Sequence, residues 1–181
     1  TDNGQLNKVA PSGDINQANV SVGTPISHLM VDETDNLWLK SESSSPSESG
    51  DLYYYQTENG TLTKHAQWAQ QSTYNDFSNL VLAKNKLWFI DNKRHFTSFD
   101  LRSNELHQPT DKNQLTFTAI EYDNNDKLWL ATSDNQILYY SLSSGEYSET
   151  ITTIPESLQF GMISNIGLAK DWIFFGSREQ G

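Results

Sequence analysis

The sequence predicts an all-β chain assembled from repeated four-stranded antiparallel sheets. Three observations predict it: a Leu-Trp run recurs at regular spacing, each copy sits in the same order of apolar runs and turns, and no stretch is left for a long amphipathic helix. The recurring run reads Asp35-Asn36-Leu37-Trp38-Leu39, then Asn85-Lys86-Leu87-Trp88-Phe89-Ile90, then Asp126-Lys127-Leu128-Trp129-Leu130-Ala131. A weaker copy, Asp171-Trp172-Ile173-Phe174-Phe175, is secured by its approach, where Leu82-Ala83-Lys84-Asn85 matches Leu168-Ala169-Lys170-Asp171. Successive copies lie 50, 41 and 45 residues apart. Four-stranded propeller blades repeat every ~40–50 residues. The chain therefore reads as β-propeller blades, about four of them, forming part of a larger propeller.

Each unit opens with an apolar pair three apart: Ile26 and Leu29, Phe77 and Leu80, Phe117 and Ile120, Ile163 and Ile166. This is the start of an inner strand. A polar turn follows, such as Asp32-Glu33-Thr34-Asp35-Asn36 or Asp123-Asn124-Asn125-Asp126-Lys127. Asp and Asn bond their own backbone and tolerate the left-handed conformation, so they make turns at little cost. The Leu-Trp strand is continuously apolar, as a strand buried on both faces must be. A third strand follows at Leu52-Tyr53-Tyr54-Tyr55, Phe96-Thr97-Ser98-Phe99-Asp100 and Ile137-Leu138-Tyr139-Tyr140-Ser141. Tight turns come next at Glu58-Asn59-Gly60, Arg102-Ser103-Asn104 and Ser143-Ser144-Gly145, with Gly or Asn where positive φ is needed. A polar fourth strand starts from Leu62, Leu106 and Tyr147. Residues 1–181 are thus one propeller segment, with blades at about 26–65, 77–108 and 117–150 and partial blades at 1–9 and 163–181. The first partial blade is a fourth strand, because Asp2-Asn3-Gly4-Gln5-Leu6 matches Glu58-Asn59-Gly60-Thr61-Leu62. The open edges that result invite self-association.

Composition bounds the function. Aromatic residues reach 12%, which argues against disorder although only 35% of the chain is hydrophobic. The net charge is −11, and this field repels duplex nucleic acid and anionic membranes. With 0 Cys, neither a disulfide scaffold nor a thiolate zinc site is available. No run approaches the ~18 apolar residues of a membrane span. The polar start, without Met, reads as a mature or excised segment.

The run from Val31 to Leu39, with Leu52-Tyr53-Tyr54-Tyr55 and Asn59-Gly60, resembles the two-component regulator propeller repeat. The resemblance covers nearly the whole chain. It implies the periplasmic sensor half of a membrane-anchored hybrid kinase or diguanylate cyclase, recognising a small-molecule or glycan ligand and signalling through the membrane. The chain departs from that pattern. The turn Gly is replaced by Asp35, Asn85, Asp126 or Asp171, a swap that a left-handed turn allows. The Gly after Leu-Trp-Ile is Lys40, Ile90 and Ala131, and is kept only as Gly176. The third-strand Arg is absent, which leaves the ligand class open.

Function is expected where long loops gather on one face. These are the second-to-third-strand loop from Ser41 to Gly50 and the inter-blade segments Ala10 to Pro25, Ala66 to Asp76 and Ser148 to Gly161. Candidate ligand-binding residues on that face are Lys40, Ser41, Asp91, Asn92, Ser133, Asp134 and Asn135, with Trp68 from an inter-blade loop. Trp38, Trp88 and Trp129 recur in register and read as inter-blade packing. His28, His65, His95 and His107 fall at four different repeat positions and read as isolated histidines. The acidic turns lack a calcium-loop pattern, so no metal, cofactor or catalytic residue is assigned. The alternatives are a propeller lyase or glycosidase, using carboxylates of neighbouring blades, and a protein-binding scaffold.

Overall fold

The computed structural model describes residues 4–9, 12, 15–42, 50–66, 68, 79–110, 114–155 and 161–177. The chain divides into two units, Thr1–Asp76 and Phe77–Gly181.

Unit 1 holds a hairpin of β1 (Gln5–Val9) and β2 (Ile15–Ser21), then a four-stranded sheet of β3 (Ile26–Val31), β4 (Leu37–Ser41), β5 (Leu52–Gln56) and β6 (Thr61–Lys64). Unit 2 holds a second such sheet of β7 (Leu80–Ala83), β8 (Lys86–Ile90), β9 (Phe96–Asp100) and β10 (Leu106–His107). A third follows with β11 (Phe117–Tyr122), β12 (Lys127–Thr132), β13 (Gln136–Ser141) and β14 (Glu146–Tyr147). In that sheet β15 (Thr152–Thr153) also pairs with β13. The last hairpin is β16 (Ile163–Ala169) with β17 (Trp172–Ser177). Among the described residues every pairing is antiparallel, and all but β13 with β15 join strands consecutive in sequence. The three larger meanders are the antiparallel sheets that the sequence predicts.

The apolar pair three apart has a structural cause. The ladder shifts register between Ile26 and His28, between Phe117 and Ala119, and between Ile163 and Asn165. One extra residue sits in each shift, and it carries a hydroxyl. Ser27 Oγ donates to the Lys40 carbonyl at 3.1 Å, Thr118 Oγ1 to that of Thr132 at 3.4 Å and Ser164 Oγ to that of Gly176 at 3.5 Å. The bulge rotates the strand by one residue, so positions i and i+3 share a face. Phe117 and Ile120 are both buried and lie in one cluster. Phe77, the first of the second pair, lies outside the described residues.

The turns partition as expected, with two differences. Gly60, Asn104 and Gly145 have φ of 72°, 62° and 69°. Each donates its N–H back to the residue four earlier, at Gln56, Asp100 and Ser141. Asp35 and Asn85 are left-handed, but Asp126 and Asp171 are not; Asn124 and Lys170 take that role. In the Asp32 and Asp123 turns the first residue explains this freedom. Asp32 Oδ1 and Asp123 Oδ1 each accept several backbone N–H groups of their own loop, so the left-handed residue can move along it.

Two intervals expected as loops contain strands. Ala10 to Pro25 carries β2, since backbone pairing with β1 needs no apolar pattern. Ser148 to Gly161 begins by extending the outer strand. Ser148 N–H bonds the Tyr139 carbonyl and Ile151 N–H the Ile137 carbonyl, both at 2.8 Å. Its β-branched run Thr150-Ile151-Thr152-Thr153-Ile154 favours that extension.

In unit 2 the core lies between sheets. Trp88, Ile90 and Phe96 pack with Ile120, Leu128, Leu130, Leu138 and Tyr140 of the next sheet. On the other side of that sheet, Ala119, Ala131 and Ile137 pack with Ile163 and Ile166, with Trp129 against them. In unit 1, Trp38 lies 4.8 Å from Tyr54, centroid to centroid.

Candidate functional site

Two classes of loop meet at one end of the unit 2 sheets. Phe117 N–H donates to the Arg94 carbonyl at 2.8 Å, and Ser133 N–H to the Thr116 carbonyl at 2.8 Å. Second-to-third-strand turns therefore lie against inter-blade links. Between β9 and β11 they frame a groove of about 480 Å3.

Its polar wall is built by Asp91. The side chain is fully buried, and Oδ1 accepts the N–H groups of Lys93 and His95, both at 2.8 Å. This closes a tight turn with Arg94 at φ 66°. Oδ2 lies 3.1 Å from His95 Nδ1. A carboxylate can only accept, so Nδ1 carries a proton and Nε2 of the neutral ring is left as an acceptor. Gln108 Nε2 donates to Thr97 Oγ1 at 3.3 Å beside it.

Thr110, Gln114 and Thr116 add polar groups, and the remaining wall is apolar. Pro109, Leu115, Phe117 and Tyr147 line the groove with Phe96. Phe117 and Tyr147 are near parallel, at 8° and 5.9 Å, and Phe96 meets both edge-on. The aromatic wall is thus held by its own ring contacts. Apolar walls with a few converging polar groups suit a ligand that buries a side chain or ring and is oriented by hydrogen bonds.

The residues named from sequence do not converge on one pocket. Lys40 and Ser41 end β4 in unit 1 and are buried, and Ser41 Oγ accepts the Asp51 N–H at 2.9 Å. Trp68, in unit 1, is buried as well. Asn92 is exposed at the tip of its turn. Asp134 bonds Thr132 and Gln136, and the Thr132 hydroxyl holds its carboxyl below the ordinary range. Ser133 bonds Thr116. Asn135 Oδ1 accepts the Ile163 N–H at 3.0 Å and so anchors the next hairpin. Asp91 reaches the groove through His95. Most of the 41–50 loop, at 43–49, lies outside the described residues, as do 69–78.

His95, Gln108 and Tyr147 were not among the sequence candidates. His95 has no repeat counterpart, and the link from Gln108 to Thr116 is shorter than the loops that drew attention. The available signal was the Asp91-x-x-x-His95 spacing across a turn.

No protein-family model and no curated relative matches the chain. Solved structures do. YCF48 bound to D1 peptide matches with a TM-score of 0.64 at 17% identity, over 98% of this chain and 56% of that one. A luciferin-regenerating enzyme matches with a TM-score of 0.63 at 14% identity, over 97% and 64%. The N-terminal domain of Nup159 matches with a TM-score of 0.61 at 12% identity, over 93% and 44%. The chain spans less than two thirds of each of these structures. They are β-propellers, and the chain shares their fold.

Proposed function

We propose that this chain is a binding segment of a β-propeller that holds an extended polypeptide in the His95–Tyr147 groove. The observation that carries the reading is the pairing of an aromatic wall with the Asp91-held imidazole and the Gln108 amide. The wall suits one apolar side chain, and the polar pair suits a flanking peptide group. The net charge of −11 favours a neutral or basic segment. That YCF48 was solved with a peptide supports the same class of ligand.

A second reading follows from the repeat resemblance. In it the chain is the periplasmic sensor segment of a membrane-anchored signalling protein, and the near-parallel Phe117 and Tyr147 rings receive a small molecule or a sugar ring. One experiment separates the two. Peptide and glycan arrays are probed with the chain, and hits are titrated by fluorescence anisotropy. The peptide reading expects peptides with an apolar anchor to bind, and to weaken about tenfold or more with Tyr147→Ala or Gln108→Ala. Glycan hits lost with Tyr147→Ala favour the sensor reading. No hit of either kind, or hits indifferent to both variants, refutes the groove as the site.

A further inference from the structure

The ladder register assigns each side chain to one face of its sheet. Trp88 lies opposite Val81, Trp129 opposite Glu121 and Phe174 opposite Gly167. These three residues hold one equivalent position, on the face directed toward the following sheet. For Trp88 that face is covered by Ile120, Leu128, Leu130 and Tyr140, with Tyr122 against them. For Trp129 it is covered by the β16–β17 hairpin. On the hairpin itself it is bare. Trp172 is 71% and Phe174 58% exposed, and they stand opposite Ala169 and Gly167. A Cβ at Gly167 would meet nothing within 4 Å. Among the described residues β17 pairs with β16 alone, so its other edge is also open.

Unit 1 carries the matching surface. Leu29 lies opposite Leu39 and Val31 opposite Leu37, as Ile120 lies opposite Leu130 and Tyr122 opposite Leu128. Leu29 and Val31 are therefore the counterparts of residues that pack with Trp88. They are 54% and 57% exposed.

We propose that the Trp172–Phe174 face of one copy seats on the Leu29–Val31 face of a second copy. The contact repeats between chains the packing that joins the β7–β10 sheet to the β11–β14 sheet. The occupant is a second copy because the chain itself carries, at Leu29 and Val31, the counterparts of the residues that cover Trp88. Two different faces meet, so association is head to tail and continues past a dimer into rings or chains. Isolated apolar residues on a surface are ordinary; two aligned aromatics beside an open strand edge are a surface that other sheets can add to.

The test uses two double variants, each retaining one face: Trp172→Glu with Phe174→Glu, and Leu29→Glu with Val31→Glu. Sedimentation should show the wild-type mass rising with concentration beyond a dimer. Each variant alone should be monomeric, and an equimolar mixture should stop at a one-to-one dimer. A wild-type monomer at all concentrations overturns the proposal. So does a dimer of the Leu29/Val31 variant alone, which would mean that the aromatic face pairs with itself. Should a variant fail to fold, cross-linking decides. The chain has 0 Cys, so Leu29→Cys and Phe174→Cys chains can be mixed and oxidised. The mixed disulfide is expected to dominate; a predominance of Phe174–Phe174 linkage, or no linkage, overturns the proposal.

Discussion

Asp91 grips His95 twice: one carboxylate oxygen accepts the backbone N–H at 2.8 Å and the other faces Nδ1 at 3.1 Å. The carboxylate is fully buried, while the imidazole is 48% exposed toward the groove side. Asp91→Ala leaves two backbone N–H groups of the turn without their acceptor. Each such loss costs about 1–3 kcal/mol, so urea denaturation should show a total of about 2–6 kcal/mol. Asp91→Asn keeps one oxygen and should lie between Ala and wild type. Equal stability of all three would show that the turn does not need the carboxylate.

Trp88 and Phe174 share a register position and differ in cover. Trp88 is 4% exposed and donates its indole N–H to the Ala83 carbonyl at 3.3 Å. Trp88→Ala should cost about 3–5 kcal/mol. Phe174→Ala should stay within about 0.5 kcal/mol when melted at concentrations too low for association. A large cost at Phe174 under those conditions would mean that the ring is buried within a single chain.

At Gly145 an added Cβ would meet only the Tyr140 hydroxyl, at 3.5 Å, which is ordinary contact. The cost of Gly145→Ala is then that of an alanine at φ 69°, about 1 kcal/mol. The equivalent Asn104 already holds φ 62°. Asn104→Gly should match wild type within about 0.5 kcal/mol, and Asn104→Ala should lose about 1 kcal/mol. Thermal melts of the three variants check the pattern.

His28 titrates below its ordinary value of 6.5, because of burial and then the nearby Lys40 charge. The folded chain keeps this ring neutral, whereas the unfolded chain protonates it near 6.5. Between the two values the unfolded state binds more protons. The stability it contributes is therefore complete above 6.5 and is lost as pH falls through the folded value. His28→Gln should flatten that limb of the stability profile. A wild-type profile unchanged by the substitution would remove His28 as its source.

The blades were legible because each strand type carries its own composition. The Leu-Trp strands had to be apolar on both sides, and the Asn104 and Gly145 turns had to hold a residue that tolerates positive φ. The apolar pair three apart was legible as a mark but not as a bulge, since the bulge shows only in the cross-strand register, where the hydroxyl of Thr118 or Ser164 meets a carbonyl on the next strand. The groove was less visible. Asp91 is one of the candidate ligand-binding residues, but its partner His95 reads from sequence as one of four isolated histidines. Gln108 and Tyr147 come to it from 13 and 52 residues further along the chain. No local pattern reports that distance.

The sequence by itself determined the all-β class, the strand order within each blade and the residues that turn the chain, because these follow from local periodicity and backbone conformation. Tertiary structure alone decided what each face and loop is for. It folded Ser41, Asp134 and Asn135 into bonds that close and tie loops, and it assembled the groove from three stretches of chain. It also left Trp172 and Phe174 bare where Trp88 is covered. Burial depends on what lies opposite in space, and the same register position is a core or a surface according to whether another sheet stands against it.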